Sequence, residues 1–302
     1  MFTIKKTLAS LLLLAFILCF SGCGSIGNEK YKSWIESSFN DEYAVDAEID
    51  VWPLKRYEKS EQREMSCAFL GGTYTAPYKD SYVDRCNSYT TDRYKSTDVG
   101  TFGLRSDTGE LVFINFMNKN FFETQPYWED IENPYETAVT MAKDVAAEYV
   151  KSIDEYTMIT EEPSVSYKER DGITYSITYY NFTFVREIQG YLSSDYIMVR
   201  ITSKGTVSAV FMGDIGAFED VKLDFDSSAV EESVAKKIEQ TYQGRAYKVS
   251  DYRIDEQRIA IAPDGTIYMS SAVFLYGRGS NAASDSPLET TGVYILTVIG
   301  ER

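Results

Sequence analysis

The sequence predicts an α+β fold built from about three units, each a helix followed by antiparallel strands. The first observation is that three segments repeat apolar residues at the three- and four-residue spacing of an amphipathic helix. The second is that the chain between them alternates apolar and polar residues, as strands do. The third is a repeated plan, because an Asp-Gly turn follows the second and the third helix at nearly the same distance.

Three helices are predicted from these apolar stripes. The first covers residues 29–39 and the second covers residues 134–150, with Asn133 as its expected cap and a proline at its first position. The third opens at Ser228 with the spacing of a capping box and ends before Gly244, because glycine readily adopts the conformation that stops a helix.

Strands are predicted where β-branched and aromatic residues alternate with polar ones. After the second helix these runs cover residues 173–188, 196–202 and 206–212, and glycine-containing turns separate them. The stretch 277–292, rich in Gly, Ser, Ala and Asn, is predicted to be a long loop, either a partner-contacting segment or plain disorder. The expected organisation is a signal peptide (1–22), a tether (23–28) and units at 29–130, 131–222 and 223–302.

The N-terminus has the pattern of a secretion signal. Two lysines precede an apolar run over residues 8–20 that is too short to span a bilayer stably, and small residues follow it. The stretch from Phe20 to Cys23 resembles the lipobox of bacterial lipoproteins, in which the cysteine is acylated and the bond before it is cleaved. This resemblance implies a chain lipid-anchored to the cell membrane through Cys23 and facing the extracytoplasmic side. The alternative is an ordinary secretory signal whose cysteine is incidental.

Two cysteines remain after such processing, Cys67 and Cys86. An exported chain meets an oxidising or unbuffered environment, so we predict that the two form a disulfide. A loop of about twenty residues closed in this way stabilises a fold by roughly 3 kcal/mol on the chain-entropy model. The alternative is a pair of free thiols.

The helix-plus-sheet plan, with hairpins such as the one at residues 105–112, resembles the PepSY-type and cystatin-like modules of exported Gram-positive lipoproteins. The resemblance extends over most of the chain beyond the signal. It implies a non-catalytic domain that binds or restrains a partner at the cell envelope.

Composition excludes several classes of function. The formal net charge is −16, so the chain repels phosphate backbones and we expect no nucleic-acid partner. The sequence contains no histidine, which excludes Ser-His-Asp and Cys-His catalysis and all histidine-ligated metal sites. We accordingly predict no catalytic residue, no metal ion and no cofactor.

Chemistry carried out by carboxylates needs no histidine, and two clusters of acidic residues are candidates for it. Glu129 and Glu132 lie beside Tyr127 and Trp128, an arrangement that suits a glycan cleft, although a solvated linker is the favoured interpretation. A second acidic run lacks the ordered spacing of a calcium loop and is interpreted as a solvated connection. That run consists of Asp214, Glu219, Asp220, Asp224 and Asp226.

Three functions follow as expectations. The first is a lipid-anchored, non-catalytic binding or regulatory module at the cell envelope, held to the membrane by N-terminal acyl chains and contacting an envelope protein. The second is a carboxylate-dependent hydrolase acting on envelope glycan. The third is a solute-binding lipoprotein of a transporter, disfavoured because such proteins alternate strands and helices to build parallel sheets.

Overall fold

The computed structural model of the protein describes residues 64–84, 89–117 and 130–302. Within these ranges the chain forms thirteen strands and two α-helices. The strands are β1 (Glu64–Phe69), β2 (Gly72–Asp84), β3 (Tyr89–Ser96), β4 (Gly100–Arg105), β5 (Leu111–Asn115), β6 (Thr157–Thr160), β7 (Ser164–Arg170), β8 (Ile173–Ile188), β9 (Tyr191–Thr202), β10 (Val207–Met212), β11 (Tyr247–Ile261), β12 (Thr266–Gly279) and β13 (Glu289–Glu301). The helices are α1 (Pro134–Ala147) and α2 (Ser227–Tyr242), and a 3-10 turn lies at Ile153–Glu155.

All thirteen strands join one mixed sheet. Its main order is β1-β2-β3-β4-β5-β10-β9-β11-β12-β13, while β8 pairs with the other edge of β9 and itself pairs with β6 and β7. Every pairing is antiparallel except that between β9 and β11. The sheet therefore contains two non-local seams, β5 with β10 and β9 with β11, which join segments far apart in sequence.

One edge of β9 is shared between two neighbours. Strand β10 pairs with the C-terminal half of β9, whereas β11 pairs in parallel only with Leu192 and Ser193. The loop at residues 213–217 leaves the sheet between them, where the Gly213 and Asp214 N–H groups donate to the carbonyls of Tyr196 (2.9 Å) and Ser194 (2.7 Å). We call this divergence of β10 and β11 along β9 the sheet fork.

Helix α1 covers one face of the sheet over β8 and β9. Its buried stripe is formed by small residues, Ala138, Ala142 and Ala146 with Val145, which allow close approach to the large side chains of the sheet. The helix begins at the proline, as predicted. Asn133 is in the left-handed conformation (φ 46°) and makes no side-chain cap, so the predicted capping role is wrong.

Helix α2 packs on the C-terminal strands through Val230, Val234 and Ile238. The Asp226 carboxylate accepts a hydrogen bond from the Ser228 N–H and caps the helix, so the cap lies two residues before the predicted one. An acidic cap is favourable because it meets the unpaired N–H groups and the positive end of the helix dipole.

The predicted fold class, about three PepSY-like or cystatin-like helix-plus-antiparallel-sheet units, is wrong. The described residues form one mixed sheet of thirteen strands with two α-helices. Periodicity identifies strands but not their partners, and a unit can end only where an edge remains unpaired. Here β5 pairs with β10 and β9 pairs with β11. The strands that would have formed the free edges of separate units are therefore hydrogen-bonded to one another. The predicted helix at 29–39 lies outside the described residues.

Local features were predicted more accurately. The predicted strands at 173–188 and 206–212 correspond to β8 and β10, and hairpin turns occur at Asp171-Gly172 and Asp264-Gly265 as expected. The predicted loop at 277–292 is wrong in extent, since Gly277 pairs with Glu289 and Phe274 pairs with Gly292 in the β12–β13 hairpin. Only residues 280–288 connect those strands.

Candidate functional site

A cavity of about 760 Å³ lies at the sheet fork. Its walls are the β4–β5 hairpin, the end of α1, the loop at 213–217 and the β11–β12 turn at 261–265. The cavity exists because β10 and β11 diverge along β9 and the chain between them turns away from the sheet. Its volume is in the range of small-molecule and peptide binding sites, which are about 300–1,000 Å³.

The lining combines apolar and charged side chains. Leu111, Met212, Ile215, Ile261 and Pro263 contribute aliphatic surface. The charged lining residues are Arg105, Glu110, Asp214, Asp264 and Arg302. Of the charged lining residues, Arg105 and Asp214 are paired with each other.

Arg105 is held at the fork by two carboxylates. Its Nε and Nη2 donate to Asp107 at 3.1 and 3.3 Å, and its Nη1 donates to Asp214 at 3.1 Å. The guanidinium also stacks 4.5 Å from the centre of the Tyr89 ring, and the Ser194 hydroxyl donates to the second oxygen of Asp214 at 2.7 Å. Burial disfavours the charged form of Arg105, but the Asp107 hydrogen bonds and the two negative charges outweigh it and raise its pKa.

A second network fixes the loop from the opposite face of the sheet. Asp195, whose side chain is 0% exposed, accepts hydrogen bonds at Oδ1 from the Tyr156 hydroxyl (2.7 Å) and the Gly216 N–H (3.1 Å). Its Oδ2 accepts from Arg186 Nε at 3.2 Å. Burial raises the pKa of Asp195 despite these donors, and burial together with the Asp195 hydrogen bond raises the pKa of Tyr156.

The remaining charged lining residues are not used in ion pairs within the described chain. Glu110 accepts a hydrogen bond from the Thr108 hydroxyl at 2.8 Å, and Asp264 accepts one from the Thr266 N–H at 2.9 Å. The Thr266 backbone and side chain lower the pKa of Asp264. Arg302 joins the β11–β12 turn through its backbone N–H, which donates to the Gly265 carbonyl at 2.9 Å.

This arrangement can bind a ligand by charge and apolar contact. Asp214 is committed to Arg105 and Ser194, while Asp264 keeps a lowered pKa and is suited to remain ionised. Asp195, whose pKa is raised, is fully buried and is not among the lining residues. The lining carboxylates therefore act as fixed negative charges and hydrogen-bond acceptors.

The structure separates the acidic run that was considered for calcium. Asp214 lies at the cavity, Glu219 pairs with Lys151, and Asp226 caps α2. Within the described part of the chain no three acidic, cysteine or histidine residues are grouped as metal ligands. Glu132 is exposed, whereas Tyr127, Trp128 and Glu129 lie outside the described residues.

The predicted lipid and disulfide sites fall partly beyond the described ranges. Cys23 and Cys86 are outside them. Cys67 is buried on β1 opposite Tyr74, and burial raises its pKa to about 11. The disulfide stays a prediction. Among the residues described, no helix has the length and apolar character needed to cross a membrane.

Sequence reasoning missed most of the residues at the fork. The strand predicted at 196–202 begins too late and omits Ser193, Ser194 and Asp195, three consecutive polar residues that interrupt the apolar alternation. They are in fact buried within β9. No local pattern signals Arg105, because its partner Asp214 is distant in sequence and is brought to it only by the pairing of β5 with β10.

Comparison with known proteins adds little. No protein-family model and no curated protein matches the chain. Among solved structures, the crystal structure of an uncharacterized protein from Eubacterium rectale ATCC 33656 is similar over 78% of this chain and 73% of its own, at 14% identity. The TM-score of that match is 0.26, so the likeness supports no argument about fold or function.

Proposed function

We propose that the protein is a lipid-anchored, non-catalytic binding module on the extracytoplasmic side of the cell membrane, and that the cavity at the sheet fork is its binding site. The observation that supports binding is the cavity of about 760 Å³ whose wall is held by two buried polar networks. Preformed cavities of this size, with a few fixed polar groups among apolar ones, are the usual form of a ligand site.

Rigidity of the wall favours binding over mere packing. The loop at 213–217 is fixed from one face by the contacts of Asp214 with Arg105 and Ser194, and from the other by the Asp195 contact with the Gly216 N–H. A wall that is already ordered loses little conformational entropy when a ligand arrives, which raises the affinity obtained from each contact.

The membrane anchor rests on the sequence alone. Cys23 follows an apolar run and ends a lipobox-like stretch, and residues 23–28 are the predicted tether. Acyl chains, and not electrostatic attraction, would supply the membrane affinity, because the body of the chain is acidic.

A second candidate is a solute-binding lipoprotein of a transporter. The cavity itself favours it, since its volume suits a small molecule as well as a peptide segment. The glycan-hydrolase alternative requires two carboxyl groups on either side of a scissile bond, one of them protonated near neutral pH. Asp214 is paired with Arg105 and the pKa of Asp264 is lowered, so neither carboxyl group is favoured as that acid.

The anchor is tested by replacing Cys23 with Ala in the full chain. We expect the variant to leave the membrane fraction on carbonate washing while the wild type stays in it. Retention of the variant in the washed membranes contradicts the lipoprotein assignment.

The cavity is tested by filling it. Leu111→Trp places a large ring in the lining, and Ile173→Trp makes the same kind of change at an exposed site that is 55% accessible and outside the cavity. Ligand-detected NMR with a mixture of neutral, cationic and anionic small molecules should show binding to the wild type and to Ile173→Trp but not to Leu111→Trp. Equal binding to all three proteins, each shown to be folded by its melting curve, would remove the cavity as the site.

A further inference from the structure

The geometry points to the class of ligand: the fork cavity takes an organic cation, a primary ammonium or guanidinium group attached to an apolar stem. This inference rests on the proposed function and adds to it the chemistry of the bound group. It follows from the charges of the lining, from the partners that some of those charges already have, and from the apolar surface beside them.

The charged groups at the cavity sum to a net negative formal charge. Three carboxylates and two guanidinium groups line it, and one of those guanidinium groups is paired with a further carboxylate, Asp107, outside the lining. The lining with this partner therefore contains four negative and two positive groups. A cleft with a net negative charge and apolar walls concentrates cations and repels anions.

Arg105 does not provide an anion site. Its Nε, Nη1 and Nη2 all donate to carboxylates, and its face stacks on Tyr89. An anionic ligand would have to displace the Asp107 or Asp214 carboxylate in order to bind it. Arg302 is then the single lining cation without an ion pair in the described chain, and it lies at the turn that also presents Asp264.

Glu110 and Asp264 supply the acceptors that a cation needs. They come from separate elements, the β4–β5 hairpin and the β11–β12 turn, and each makes a hydrogen bond to a neighbouring threonine but no ion pair within the described chain. Carboxylates accept charge-assisted hydrogen bonds from ammonium and guanidinium donors, which are stronger than neutral ones.

The aliphatic part of the lining suits the stem of such a ligand. Leu111, Met212 and Ile261 line the same cavity as the two carboxylates. Long cationic groups bury their methylene chain along apolar surface while the charged head stays near water or an acceptor. A ligand with a cationic head and an apolar stem contacts both the carboxylates and the aliphatic residues of the lining, whereas a bare metal ion would contact only the carboxylate oxygens.

This chemistry has two sources, a free small amine or the Lys or Arg side chain of a polypeptide. The probes are n-butylammonium with its isosteric neutral and anionic counterparts, n-butanol and butyrate. The second set is a capped Ala-Lys-Ala peptide with capped Ala-Glu-Ala. Binding to the full chain is measured by NMR titration at matched ionic strength, with amide shifts locating the site.

The test variant is Glu110→Gln combined with Asp264→Asn. The matched control is Glu231→Gln combined with Glu232→Gln, which removes the same charge from the exposed surface of α2. We expect cationic probes to bind at the cavity with preference over neutral and anionic ones. We expect roughly tenfold weaker binding of the cationic probes to the test variant, which is about 1.4 kcal/mol in total for the loss of two exposed charge contacts, and unchanged binding to the control.

The outcomes separate the two proposals. Preferential binding of butylammonium indicates a free amine, and binding of the lysine peptide alone indicates a polypeptide partner; either supports the inference. Neutral or anionic probes that bind the cavity as well as cations, or cation binding that survives in the test variant, would overturn it while leaving the cavity as a binding site. If no probe of any charge shifts cavity amides, the inference fails together with the proposed binding site.

Discussion

Replacing Asp195 with Ala should destabilise the protein by about 3 kcal/mol. The change removes the acceptor of three donors in a fully buried position, the Gly216 N–H, the Tyr156 hydroxyl and Arg186 Nε. An orphaned buried donor costs about 1–3 kcal/mol. Taking the lower value of about 1 kcal/mol for each of the three donors gives a sum of about 3 kcal/mol. The lower value suits Arg186 in particular, because it keeps Glu155 as a partner and its side chain is 12% exposed. The sum agrees with the roughly 3–5 kcal/mol typical of breaking a buried ion pair.

Two further variants test this reasoning by urea unfolding at pH 7. Asp195→Asn keeps one acceptor oxygen for Tyr156 and Gly216 and should cost only about 1.5–3 kcal/mol, the value of one hydrogen bond to a charged group. Asp154→Asn alters an exposed carboxylate and should change the free energy of unfolding by less than about 0.5 kcal/mol. A loss below about 1 kcal/mol for the alanine variant would refute the claim that this network holds the fork loop.

Three other predictions concern the same region and the cysteines. Burial raises the pKa of Asp107, but its arginine partner outweighs this and lowers it, so the ionised form stabilises the fold above the ordinary pKa of 3.8 and loses that effect as pH falls through the lowered value. Asp107→Asn should therefore cost about 1.5–3 kcal/mol in urea unfolding at pH 7, and the difference from wild type should shrink below pH 4. Gly213→Ala places a Cβ 2.0 Å from a backbone carbonyl of β9 and should lower the melting temperature sharply, whereas Gly279→Ala meets nothing within 4 Å and should not. Mass spectrometry of non-reduced peptides should find Cys67 linked to Cys86; recovery of both as free thiols from native envelopes contradicts the bridge.

The elements that could be predicted are those whose signal is local. The stripe of α1, the β8 run and the glycine turns at 172 and 265 depend on residues a few positions apart, so period and turn chemistry identified them. The helix caps were misplaced because Asn133 and Ser228 are both favourable cap residues in general, and only the backbone conformation decides whether the side chain reaches an N–H.

The global arrangement could not be predicted because strand partners are chosen by packing and not by sequence distance. Ile114 pairs with Val210, and Leu192 pairs with Arg258, across long intervening segments. A repeat of similar local units is compatible both with separate modules and with one continuous sheet. The candidate site depends entirely on these two seams, which is why its residues carried no recognisable spacing.

The seam between β5 and β10 also determines the order in which the protein can fold. Strands β1 to β5 are a meander of consecutive hairpins that can pair as soon as they emerge, but Phe113 and Ile114 await partners at positions 211 and 210. Until β10 is synthesised, β5 presents an apolar strand with an open hydrogen-bonding edge, the kind of surface on which chains associate wrongly. Refolding from denaturant should accordingly be slow and should lose yield as protein concentration rises, because closure of this late seam competes with pairing between molecules.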